Sequence, residues 1–130
     1  LWQQEAGNGK ATYLSKSELA EAVSKVMITK ELQNKTYTLT DNKTYDQYEI
    51  ADILSKVRGQ KHEYKPVTSE EYSKILENEY GLKGSINKII ISLYESMSKG
   101  QDDIITNDFE IILQRKPTTL IETLNKLNIK

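Results

Sequence analysis

The sequence predicts an α/β chain in which about three short strands alternate with crossover helices and a small helical cluster follows. Three observations carry this. Strand-favouring runs occur at 11–14, 36–39 and 63–67, an amphipathic helical pattern separates each from the next, and from residue 68 onward the periodicity is helical. Strands separated by helices imply crossover connections and parallel pairing.

In order, Gly7-Asn8-Gly9 reads as a turn into a strand at Ala11–Leu14. Ser15 and Glu18 match a capping box, Ser-x-x-Glu, opening a helix with Leu19, Ala22, Val23, Val26 and Met27 on one face. Thr36–Leu39 alternates like a strand, and Asp41-Asn42-Lys43 turns the chain. Thr44 with Gln47 predicts a second capped helix burying Ile50, Ala51, Ile53, Leu54 and Val57, ended by Gly59. A third strand follows over Glu63–Val67, with Pro66 at an edge. Thr68 with Glu71 opens a helix that turns Tyr72, Ile75 and Leu76 inward, with Gly81 past its end. The next helix, Lys83–Met97, carries Ile86, Ile89, Ile90, Leu93 and Met97 along one stripe, read as core, and Gly100 ends it. Asn107 with Glu110 caps a short helix through Phe109, Ile112 and Leu113, stopped by Pro117. Thr119 with Glu122 caps the last one, presenting Leu120, Leu124 and Leu127.

Composition excludes several function classes. The chain has 130 residues and is 37% hydrophobic and 28% charged, which fits a folded chain able to bury its own core. With no cysteine there is no disulfide, thiolate metal site or cysteine nucleophile, a usage compatible with a reducing compartment. Basic residues number 18 and acidic ones 19 without a basic block, so no nucleic-acid partner is expected. No apolar run approaches the roughly 20 residues that span a bilayer, and no membrane partner is expected. The first residues lack a signal peptide's basic start and apolar middle. Because the chain starts at Leu1 and its few strands leave edges open, sequence is expected to be missing before it.

No catalytic constellation is visible. The Gly7-Asn8-Gly9 turn precedes a strand, whereas a dinucleotide-binding loop sits between strand and helix. The helical Tyr-x-x-x-Lys pair of short-chain dehydrogenases is absent, since no tyrosine has a lysine four residues on. His62, the only histidine, has no sequence neighbours that would make a triad or metal site, and a solvent-facing structural role is favoured. Asp102-Asp103 lacks the spaced oxygens of a calcium loop. Eight tyrosines outnumber the single phenylalanine and tryptophan, and Tyr13, Tyr37, Tyr48, Tyr64, Tyr72 and Tyr94 sit on predicted elements. Half-buried packing is their favoured role, and lining a pocket for a flat substrate is the sharper one.

An ordered set of motifs adds a resemblance. Ala6-Gly7-Asn8-Gly9-Lys10 and the stretch from Tyr13 to Ala22 are similar to the Gly-(Asp/Asn)-Gly-Lys, strand, (Ser/Thr)-x-x-Asp-(Leu/Tyr)-Ala-x-Ala passage of NmrA-like, atypical short-chain dehydrogenase proteins. Lys35–Thr40, the helix containing Ile50-Ala51-Asp52-Ile53-Leu54, the run Glu63–Tyr72 and Pro117-Thr118-Thr119-Leu120 resemble later family segments in the same order. Two departures stand out: Glu18 replaces the family's Asp, and Arg115 or Lys116 replaces the glycine before Pro117. The bacterial NAD(P)H:quinone oxidoreductase branch is the most similar in flavour.

The resemblance implies that residues 1–130 form the C-terminal, substrate-binding lobe of a Rossmann-type two-lobe protein whose nucleotide-binding half is absent. It implies a cytoplasmic NAD(P)H-dependent oxidoreductase acting on a quinone or small carbonyl compound, or alternatively an NADP-sensing regulator that binds a protein partner without catalysis. NADP or NAD would sit in the missing half, and no cofactor is expected on this chain. Partners would be the substrate, the missing half and a second copy, through the strand at Thr36–Leu39 or the helices. Tyr72, Tyr94 and Met97 are the candidates for the substrate pocket. In the family arrangement the strand at 36–39 would edge the Rossmann sheet, and those at 11–14 and 63–67 would pair as a parallel ribbon.

Overall fold

A computed structural model describes residues 2–127. The described residues form an α/β fold with few, very short strands and six α-helices. They divide into two compact units: one takes the chain up to Ala11 together with Tyr45–Asp103, and the other takes Thr12–Thr44 with the chain from Ile104 on.

In the first unit, β1 (Trp2–Gln4) pairs in parallel with β4 (Tyr64–Pro66), Trp2 opposite Tyr64 and Gln4 opposite Pro66. Pro66 has no N–H to give, so the ladder closes one residue later, where the Val67 N–H donates to the Gln4 carbonyl at 3.2 Å. Parallel pairing is as predicted, but with Trp2–Gln4 as the partner of β4. The predicted partner, 11–14, is strand only at β2 (Lys10–Ala11), which pairs antiparallel with β3 (Tyr45–Asp46).

Three helices complete this unit. The first, α2 (Gln47–Arg58), is capped reciprocally by Asp46 and Glu49, two residues later than the predicted Thr44–Gln47 box. Ile50 and Ala51 are buried as expected, and Gly59 ends the helix in the left-handed conformation at φ +67°. The predicted Thr68–Glu71 box caps α3 (Ser69–Asn78), which buries Tyr72 and Leu76. α4 (Ser85–Ser98) corrects the sequence reading: Ile86, Ile89 and Leu93 are exposed, and the buried position is Asn87. Asn87 accepts from the Ser73 hydroxyl and donates to the Ser73 and Leu82 carbonyls, so a satisfied amide fastens α4 to α3. Ile90 and Met97 are partly buried.

The second unit is built on α1 (Lys16–Ile28), a short 3₁₀ turn at Lys30–Leu32, α5 (Asp108–Leu113) and α6 (Leu120–Lys126). Its core is Ala22, Phe109, Ile112 and Leu113, with Leu14, Val26, Leu32, Tyr37 and Leu39 packed around it. Each large side chain buried there contributes roughly 1.5–3 kcal/mol over an exposed one. α1 therefore turns Ala22 and Val26 inward, whereas Leu19, Val23 and Met27, expected on that face, are exposed. Leu127, expected inward, is also exposed.

The predicted strand at 36–39 joins no ladder. Its backbone groups are taken by side chains: the Thr38 N–H donates to Asp108 Oδ2 at 2.8 Å, and the Thr106 hydroxyl donates to the Thr38 carbonyl. Ser15 makes no side-chain cap on α1, its hydroxyl lying instead 2.7 Å from that of Ser17, and Asn107 makes none on α5. The Thr119–Glu122 box forms as predicted.

Candidate functional site at the carboxyl end of the parallel ribbon

Parallel strands bring both carboxyl ends to one side, the position at which open α/β sheets hold ligands. Here β1 runs out at Gln4 and Glu5, β4 passes through Thr68 into the start of α3, and α4 lies against α3. A pair and a trio of residues meet there. Gln4, 9% exposed, donates through Nε2 to the Tyr94 hydroxyl at 2.7 Å. The Ser69 hydroxyl donates to Glu5 Oε1 and lies 3.3 Å from Glu95 Oε1. Ser69 has one proton to give, so the longer contact is the weaker. Lys99 Nζ, 3.8 Å from Glu95, partly balances the charge. Gln4 Oε1 and Glu5 Oε2 are buried without a protein partner among the described residues, so this end of the ribbon is rich in acceptors. Beside it, α3 and α4 border a cavity of about 550 Å³ that Ser69, Ser73, Asn87, Ile91 and Glu95 help to line.

The structure brings the predicted pocket residues to this region in different ways. Tyr72 and Tyr94 meet edge to face, with ring centroids 5.3 Å apart and planes at 85°. Tyr72 is only 5% exposed. Burial first, and then the neighbouring Tyr94 hydroxyl, pushes its phenol well above the ordinary range. Tyr72 therefore backs the site, whereas Tyr94 is half-buried with its hydroxyl already held by Gln4. Met97 lies one turn further along α4, where its Sδ accepts from Gln47 Nε2 at 3.2 Å. Gln4, Glu5, Ser69 and Glu95 were not singled out in the sequence. The first five residues carry no periodicity, and only the parallel register places them beside α4.

The remaining candidates resolve as structure. Gly7 adopts φ +51°, and the Gly9 N–H closes the turn onto the Ala6 carbonyl at 2.8 Å, as the turn reading expects. Gly9 has a second reason to be glycine: a Cβ there would stand 2.0 Å from the Met97 carbonyl oxygen. His62 departs from the solvent-facing expectation, because it is half-buried and its Nε2 is enclosed without a protein partner among the described residues. No group of three acidic or histidine side chains among the described residues is placed to hold a metal ion. No described helix is long and apolar enough to cross a membrane.

A nucleotide would need backbone N–H groups at a helix start. The starts of α2, α3 and α6 are each occupied by their own capping carboxylate, and Gly9 is committed to packing. The starts of α2, α3 and α6 are therefore not open to a dinucleotide phosphate. In the second unit, a cleft of about 460 Å³ is lined by Glu18, Glu21, Arg115 and Thr118 among others. Arg115 bridges Glu18 and Glu21, and Thr118 donates to Glu18 through its hydroxyl at 2.8 Å and through its N–H. Burial works to raise the Glu18 carboxyl, but Arg115 and Thr118 outweigh it and hold it below the usual range. This cleft is lined by an ionic latch already satisfied from within the protein.

The sequence matches no protein-family profile and no curated protein. Solved structures do match. Over 98% of this chain and 44% of the other, it superposes on a triphenylmethane reductase from Citrobacter sp. with TM-score 0.87 and 30% identity. The same reductase complexed with NADP(H) gives TM-score 0.85 and 31% identity, over 95% of this chain and 43% of that one. A nucleoside-diphosphate-sugar epimerase from Staphylococcus aureus gives 0.83 and 26%, over 95% and 43%. The NADPH-dependent quinone oxidoreductase from Escherichia coli complexed with NADPH gives 0.88 over 97% and 44%, and at 21% identity it speaks for the fold alone. The chain spans less than half the length of each of these proteins. The fold, the identities and the ordered motifs agree: this chain is similar to NmrA-like, NAD(P)-dependent epimerase–reductase proteins and has the fold of their C-terminal half.

Proposed function

We propose that this chain is the substrate-facing lobe of a cytoplasmic NAD(P)H-dependent oxidoreductase that reduces a quinone or small carbonyl compound. The observation that carries this reading is the convergence of Gln4, Tyr94 and the Glu5–Ser69–Glu95 cluster at the carboxyl end of the β1–β4 ribbon. Oxidoreductases that share the fold support it. The nucleotide, held by residues outside this sequence, would supply the hydride. Within this chain, Tyr94 accepts its hydrogen bond from Gln4 and keeps its own hydroxyl proton to give to a substrate oxygen. Tyr72 backs the Tyr94 ring, and the acceptors of Glu5 and Glu95 orient donor groups on the substrate or on water.

The test is NADPH oxidation by the full-length protein with menadione or a small aldehyde, followed at 340 nm. Substituting Tyr94→Phe should lower kcat/KM by roughly tenfold or more, the scale of a lost proton-donating contact. NADP binding without turnover of any acceptor would favour the sensor reading instead.

A further inference from the structure

The turn Gly7-Asn8-Gly9, between β1 and β2, takes no part in the site described above. Of the asparagines in the chain, Asn8 is the one that glycine follows. Asparagine is a thermolabile residue, because the next backbone nitrogen can attack its side-chain carbonyl carbon and close a five-membered ring. A Cβ on the following residue crowds that approach, and Gly9 has none. Asn8 is exposed, and its side-chain amide makes no hydrogen bond among the described residues. Asn87 is the contrast: it is buried, and its amide is engaged by Ser73 and Leu82.

The attacking nitrogen is held back by the fold. The Gly9 N–H donates to the Ala6 carbonyl at 2.8 Å. Gly9 is also buried against α4, where an added Cβ would stand 2.0 Å from the Met97 carbonyl oxygen. Gly7 holds the turn at φ +51°, with nothing close to where its own Cβ would lie. The nitrogen is free to attack only when this turn opens.

We propose that Asn8 is a self-modification site gated by the turn. On opening, a bond forms from the Gly9 nitrogen to Asn8 Cγ. The bond from Cγ to Nδ2 breaks, and the departing nitrogen leaves as ammonia with the Gly9 proton. Water then opens the resulting succinimide. Attack at Cγ gives aspartate with the main chain unchanged, and attack at the main-chain carbonyl carbon gives isoaspartate. The second product runs the backbone through Cβ and lengthens it by about 1.5 Å. Gly9 has no room to absorb that length against Met97, so it is directed at α4, the helix that carries Tyr94. The redox reading is not needed for any of these steps.

The test keeps the protein warm at mildly alkaline pH beside the peptide Ala-Gly-Asn-Gly-Lys, and follows amide loss by peptide mass mapping. Asn8 should convert ahead of every other asparagine, about 2- to 10-fold more slowly than the peptide, the scale of one hydrogen bond. Gly7→Ala strains the left-handed position and should bring the folded rate toward that of its own peptide. The isoaspartate fraction, identified with an isoaspartyl methyltransferase, should melt at least about 4 °C lower. Asn8→Asp supplies the other product directly and should melt like the unmodified protein. The proposal is overturned by earlier loss at another asparagine, or by a folded rate equal to the peptide's. An Asn8 intact through about ten peptide half-lives, no effect of Gly7→Ala, or an isoaspartate form with an unchanged melt would also overturn it.

Discussion

Glu18 departs from the NmrA-like pattern in the sequence, Arg115 or Lys116 stands where that pattern has glycine, and in the fold Glu18 and Arg115 are each other's partners. The carboxylate on α1 reaches an arginine in the segment leading to α6, and Thr118 completes the set. A group whose folded pKa is depressed adds stability above its ordinary value, 4.5 here, and loses it as pH falls through the folded value. Glu18→Gln should therefore cost about 1–3 kcal/mol near neutral pH, with the deficit closing in acid. Thermal melts from pH 7 to pH 3 would show this, and a deficit constant across that range would count against the latch. Asp41 has the opposite sign. It is 2% exposed, its Oδ2 has no protein partner among the described residues, and Oδ1 accepts from the Asn42 N–H. Burial first, then the charges of Glu18 and Glu122, raises its carboxyl above the usual range. The fold thus holds this proton more tightly than the unfolded chain does. Stability from this group is present in acid and falls as pH rises from the ordinary value through the folded one. Asp41→Asn should raise Tm at pH 7 and flatten the pH profile, and a lower Tm at every pH would show that the charge is needed.

Among the elements, α4 shows where the hydrophobic pattern misleads. The stripe Ile86, Ile89, Leu93 has helical spacing but lies outward, and Asn87 faces α3. Asn87→Ala would leave the Ser73 and Leu82 carbonyls without their donor and should cost about 1–3 kcal/mol. Ile89→Ser, 54% exposed, should stay within about 0.5 kcal/mol. Chemical denaturation of the two variants decides it, and the reverse order would restore the sequence reading. Gly9→Ala should cost at least about 1–3 kcal/mol, because its Cβ would meet backbone that cannot swing away. A wild-type melt would mean that α4 can shift. Local chemistry was legible where the partners were close in sequence: the boxes at Thr68–Glu71 and Thr119–Glu122 and the left-handed Gly59 were readable from residue type and spacing. Ser15–Glu18 has the same spacing and fails, its hydroxyl pairing with Ser17 and its carboxylate claimed by Arg115 from far along the chain. The run at 36–39 has strand-forming residues without a strand to pair with. The candidate site was half legible: its tyrosines stand out by composition, whereas Gln4 and Glu5 gain meaning only from the register of β1 on β4.

For the whole molecule, the central question is whether this chain engages the nucleotide by itself. Phosphate recognition asks for free backbone N–H groups at a helix start, a close backbone approach through glycine, and a favourable local charge. The helices α2, α3 and α6 begin with reciprocal boxes in which Glu49, Glu71 and Glu122 place a carboxylate where a phosphate would sit. The Glu71 and Glu122 carboxyls are held below the usual range by the backbone and hydroxyl of Thr68 and Thr119, so they stay charged at neutral pH. Repulsion thus adds to occupied donors at three helix starts. α1 has no side-chain cap at Ser15, but its first turn carries Glu18, and α4 begins at Gly84, which adopts φ +63° without a preceding strand. The net charge of −1 gives no general attraction for a polyanion either. Calorimetric titration of this chain with NADPH should therefore show no saturable heat at about 1 mM ligand, corresponding to binding weaker than about −4 kcal/mol. Glu71→Gln and Glu122→Gln should leave that unchanged, since the capping side chains still fill the helix starts. Micromolar binding would mean that a phosphate site forms without a glycine loop, and Ser15 at α1 and Gly84 at α4 would be the first places to look.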